Sequence, residues 1–111
     1  MKKDIKLGNE IHSFSFGLGF IGDMLEELQL DYIEFSKKID GNPFKWIPIT
    51  MLHSLNYGKA NKWTIEQLLE VLEADGGYQS IALQDFKDTY ILSLTKNVPS
   101  QPQDNKKKVK A

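Results

Sequence analysis

The sequence predicts a mainly α (α+β) fold: an N-terminal β-hairpin packed on a bundle of about five short helices, with a disordered C-terminal tail. Three observations carry this. Apolar and polar residues alternate within residues 4–16, apolar residues recur every three to four positions from Leu18 onward, and they all but vanish after Val98. A chain of 111 residues suits one small domain that buries roughly 60 to 65 % of its unfolded surface. The globular domain is assigned to 1–98 and the basic tail to 99–111.

In the hairpin, "DIKL" (4–7) and "IHSFSF" (11–16) flank a turn at Gly8 and Asn9 and place Ile5, Leu7, Phe14 and Phe16 on one buried face. A lone hairpin is marginal in water, so it must pack on helices. Leu18, Ile21, Leu25 and Leu28, with Met24 beside them, form the apolar stripe of a first amphipathic helix whose Asp23, Glu26 and Glu27 face outward. Asp31 and Glu34 read as a capping box for a second helix, about 31–39, with Leu30 and Phe35 as its staple and Gly41 as its stop.

"NPFKWIPITMLHSL" opens a third helix with Asn42 as N-cap and Pro43 at its first position. Phe44, Ile47, Met51, Leu52 and Leu55 are its stripe, and Pro48 predicts a kink or a delayed start. The helix should end near Tyr57 and Gly58. Thr64 and Gln67 form a second capping box, stapled by Trp63 and Leu68. That fourth helix buries Ile65, Leu68, Leu69 and Leu72 and ends at Gly76 and Gly77. A fifth, about 80–95, buries Leu83, Phe86, Tyr90 and Leu94. "NVPSQPQDNKKKVKA" has the composition of a disordered segment.

Composition removes several chemistries. No apolar run approaches the ~20 residues that span a bilayer, and "MKKDIKLGNE" lacks the apolar core of a secretory signal, so a cytoplasmic protein is expected. Without cysteine there is no disulfide, thiolate metal site or thiol nucleophile. All 14 basic residues are lysine, and the missing arginine fork argues against reading phosphate or DNA. Residues 1–98 carry ten Lys against fourteen acidic residues, a net of −4, whereas 99–111 carry four Lys against Asp104, a net of +3. Such a tail would touch nucleic acid or an acidic membrane only weakly and salt-sensitively.

Gly17, Gly19 and Gly22 have the G-x-G-x-x-G spacing that wraps a pyrophosphate in a βαβ unit. The preceding strand alternates as a half-solvated hairpin does, and a helix N-cap follows the helix, so no cofactor site is assigned. Gly17 and Gly19 are expected to turn the chain and Gly22 to permit close packing. The alternatives to a binding protein are a small nucleotide-binding protein using this loop and a small helical regulatory or DNA-associated protein. His12 and His53 stand without a ligand-spaced carboxylate, and a metal needs three or four convergent ligands. Asp85 with Asp88, and Glu66 with Glu70, each share a helical face with no nucleophile or histidine nearby. No catalytic, cofactor-binding or metal residue is assigned, and an enzyme is not expected.

Four stretches, "LGNEIHSFSFGLGFIGDMLEEL" (7–28), "NPFKWIPITMLHSL" (42–55), "EADGG" (73–77) and "SLTKNVP" (93–99), together resemble the tail assembly chaperones of long flexible-tailed bacteriophages and prophages. The resemblance implies a non-enzymatic protein of the host cytoplasm, absent from the mature virion. It would bind the apolar, helix-rich tape measure protein, keep it soluble and help the tail tube protein polymerise around it. It also implies self-association, and a longer frameshifted product that recruits the tube protein, with this chain as the short form. No site residue transfers, because the family has no active site. Candidate partner contacts come from pattern: Trp46 falls off the third helix's stripe, and Phe20 and Tyr57 lie near stripe edges. Aromatics left exposed anchor interfaces; the alternative is that they close a small core.

Overall fold

The computed structural model describes residues 1–97, so the expectation for 99–111 lies outside the described residues. Strands β1 (Lys2–Leu7) and β2 (Glu10–Ser15) form an antiparallel hairpin. Its turn needs the left-handed backbone of Gly8, at φ +66°. Leu7 lies opposite Glu10, Ile5 opposite His12 and Lys3 opposite Phe14. Opposed residues share a face, so this register puts Ile5, Leu7 and Phe14 on the inner side, with Phe16 continuing it. All four are buried, as the alternation predicts.

Five α-helices follow among the described residues: α1 (Leu18–Leu28), α2 (Tyr32–Gly41), α3 (Pro43–Asn56), α4 (Ile65–Ala74) and α5 (Ile81–Asn97). Both predicted capping boxes form. The Asp31 carboxylate accepts from the Glu34 N–H at 2.7 Å while the Asp31 N–H donates to Glu34 at 3.0 Å. Thr64 and Gln67 make the same reciprocal pair. Asn42 precedes α3 without a side-chain cap bond, and its carbonyl accepts from the Lys45 and Trp46 N–H groups instead. Helix α3 runs unbroken from Pro43 through Pro48 to Asn56 rather than starting late. The ladder donor that Pro48 removes belonged to the carbonyl of Phe44, in an exposed first turn where water can replace it.

A short 3₁₀ turn, Gly77–Gln79, which the pattern did not suggest, precedes α5. The Ser80 hydroxyl accepts from the Leu83 N–H at 3.2 Å at the start of that helix.

Hairpin and helices share one core. Phe86 of α5 lies 6.1 Å from Phe14, 5.4 Å from Phe16 and 5.9 Å, stacked, from Tyr90, and Tyr90 meets Phe20 edge-on at 6.4 Å. Polar bonds fix the hairpin on this core. The buried Ser54 hydroxyl donates to the Ser15 carbonyl at 2.6 Å. The Lys59 ammonium donates to the carbonyls of Ser13 and Leu55, and burial, then the nearby Lys2, lowers its pKa. Lys3 pairs with Asp85 of α5 at 2.6 Å.

Three stripe assignments shift. On α1 the buried residues are Phe20, Ile21 and Met24, while Leu18 is 65 % exposed. The stripe is rotated because Phe20, the larger ring, reaches Tyr90. On α3, Phe44 is 68 % exposed, its ring lying against Tyr78 of the 3₁₀ turn and not in the core. On α4 only Leu68 and Leu72 are fully buried, with Ile65 and Leu69 half-buried.

Candidate functional site

Helices α2 and α5 each turn one face toward the other. Tyr32, Phe35, Ser36 and Ile39 follow the i, i+3, i+4, i+7 rule on α2, and Lys87, Tyr90, Ile91 and Leu94 follow it on α5. Phe35 and Tyr90 close the bottom of the space between them, and Pro43 and Ile47 of α3 form its end. The result is an open cleft of about 420 Å³ whose lining is mostly apolar and aromatic. Burial, with the phenol of Tyr32 adding to it, pushes the Tyr90 hydroxyl pKa up and keeps it neutral. Ser36, Asp40 and Lys87 supply the polar groups of the rim.

The apolar surface continues beyond this cleft. Tyr78, from the 3₁₀ turn, lines it and also a smaller hollow of about 220 Å³ bounded by Phe44, Pro48, Leu69 and Leu83. The Phe44 and Tyr78 rings lie 4.9 Å apart and form the ridge between the two. Lys87 holds its ammonium 5.5 Å from the Tyr78 ring. Phe44 and Ile91, 55 % exposed, leave large apolar side chains in water on this side. An exposed, contiguous apolar surface of this sort is suited to receiving another apolar surface.

Of the aromatics singled out in the sequence, Phe20 and Tyr57 come together and Trp46 lies elsewhere. Phe20 is 1 % exposed, so the expectation of an exposed contact is corrected for it: the rotated α1 stripe puts its ring in the core. Tyr57 is 38 % exposed and lines a separate groove of about 600 Å³ between α1 and the end of α3. Trp46 is half-buried, edge-on to Phe35 at 6.2 Å, with the Lys38 and Lys45 ammonium groups 5.6 and 5.2 Å from its ring. Phe44, Tyr78 and Ile91 were missed. Stripe counting put Phe44 inside, although a residue just after a helix-opening proline had a signal for exposure in its end position.

Of the glycine run only Gly17 lies between β2 and α1; Gly19 does not turn the chain as expected but lies with Gly22 inside the helix, the sheet among the described residues has two antiparallel strands, and α1 leads into α2. The parallel second strand of a dinucleotide site is not there. The packing role also moves: a Cβ on Gly19 would run into the Tyr57 hydroxyl, whereas one on Gly22 meets nothing within 4 Å. Both histidines acquire carboxylate neighbours that linear spacing did not show, His12 with Glu10 at 3.2 Å and His53 with Glu27 at 3.7 Å. Among the described residues no three His, Cys, Asp or Glu side chains gather as a metal site, and no helix is long and apolar enough to cross a membrane. Comparison with family models, with curated proteins and with solved structures gives no match to this chain.

Proposed function

We propose that this chain is a non-enzymatic tail assembly chaperone of the kind its sequence resembles, acting in the bacterial cytoplasm on the tape measure protein and absent from the finished virion. The observation that carries the reading is the apolar surface from the α2–α5 cleft over the Phe44–Tyr78 ridge. An amphipathic helix lays its apolar face into such a groove and is read by side chains spaced at i, i+3, i+4 and i+7. A chaperone of this design covers the client's apolar stripe and leaves its own charged outer faces in water. The tail tube protein is a second partner, met chiefly through the frameshift-extended form.

Coexpression with the tape measure protein of the same genome, followed by size exclusion, tests the proposal. The two proteins should coelute and stay together at moderate salt, because an apolar contact is little screened, whereas an exposed ionic one weakens as the Debye length shrinks. Separate elution at every salt concentration contradicts it.

A further inference from the structure

The groove between α1 and α3 is a different surface from the apolar cleft, with a different chemistry. Phe20 and Met24 lie beneath it, sealed in the core, and the half-buried Leu52 and Trp63 with the exposed Tyr57 give it its accessible apolar surface, while Asp23 and Glu27, one helical turn apart, stand on its α1 side. Helix α1 has three acidic residues and no basic one, and its last turn, which holds Glu26 and Glu27, carries no cation. The carbonyl end of a helix is already negative, so carboxylates there are destabilised and a cation is favoured. Asp23 and Glu27 at i, i+4 also repel each other.

Among the described residues Asp23 and Glu26 have no ion-pair partner, and Glu27 reaches only His53. Burial lowers the His53 pKa against the opposing pull of Glu27, which leaves that imidazole neutral near pH 7. Lys62, at the far end, is the only lysine among the groove's lining residues, and it leans toward the Asn56 carbonyl at 3.4 Å. The groove therefore has an apolar wall and two carboxylates against one lysine.

We propose that this groove binds a cationic amphipathic helix, with apolar side chains seated over Leu52, Tyr57 and Trp63 and a Lys or Arg brought to Asp23 and Glu27. The site stands apart from the chaperone reading and does not depend on which client the α2–α5 cleft takes. Trp63 lines this groove and does not line the α2–α5 cleft, so its emission distinguishes binding on this side from binding in the cleft.

The probe is a synthetic leucine–lysine peptide of about five amphipathic helical turns, titrated into the full chain carrying Trp46→Phe, with a leucine–glutamate peptide of the same pattern as comparison. The lysine peptide should shift Trp63 emission saturably and bind at least about tenfold more tightly than the glutamate peptide. Asp23→Asn with Glu27→Gln should weaken it about five- to tenfold, as expected for two partly exposed charge contacts. Removing two like charges relieves α1, so circular dichroism should be unchanged. Glu66→Gln with Glu70→Gln makes the same change in net charge outside the groove and should leave affinity within about twofold. Equal binding of both peptides, no effect of the α1 pair, or an equal effect of the α4 pair overturns the proposal.

Discussion

Gly19 and Gly22 lie three residues apart on α1 in opposite surroundings. Gly22 is inside the helix at ordinary φ with open space where a Cβ would go. Its backbone freedom in the unfolded chain is therefore a cost with no packing return, and Gly22→Ala should stabilise the fold by about 0.5–1 kcal/mol. Denaturant unfolding measures it, and a loss of stability would mean that the position is crowded. Gly19→Ala should give no such gain, because the new methyl must displace Tyr57.

His53 makes a pH-dependent contribution whose sign follows from its neighbours. Burial lowers its pKa below the ordinary 6.5, with Glu27 partly opposing, so the unfolded chain takes up this proton first as pH falls. The stability it contributes is whole above pH 6.5 and is lost as pH drops through the lower folded value. Melting followed from about pH 8 to about pH 5 should show less acid sensitivity in His53→Gln than in the parent. Identical profiles would mean that the imidazole titrates as freely folded as unfolded.

Among the elements, α4 is the one whose start is most locally encoded. Thr64→Ala removes the acceptor for the Gln67 N–H and should cost about 0.5–2 kcal/mol in chemical unfolding; no loss beyond error would mean that the helix is set by packing alone. The same locality explains what could be read in the sequence. Hairpin alternation, both capping boxes and the Gly76–Gly77 stop depend on residues within a few positions of one another, and all appear where the pattern puts them. The rotation of α1 and the exposure of Phe44 depend on contacts with other elements, Phe20 with Tyr90 and Phe44 with Tyr78, which periodicity along one helix does not contain. The candidate surface was legible least of all. It is assembled from α2, α3, α4, the 3₁₀ turn and α5, and of its residues Phe44, Leu69, Tyr90 and Leu94 read simply as core.

At the scale of the molecule, one core holds two surfaces of different character on separate helix pairs. The α2–α5 cleft and its Phe44–Tyr78 ridge are apolar, and the α1–α3 groove is apolar with a negative side. Phe44 and Ile91 are exposed, so replacing them changes what the cleft offers a partner without opening the core. The most direct measurement of the proposed role is the soluble fraction of the cognate tape measure protein, coexpressed with the parent chain or with Phe44→Ser, Ile91→Ser. The client should be soluble with the parent and aggregate both alone and with the doubly substituted chain, whose circular dichroism should match the parent's. A client equally soluble by itself, or rescued as well by the substituted chain, would contradict the assignment of this surface to client binding.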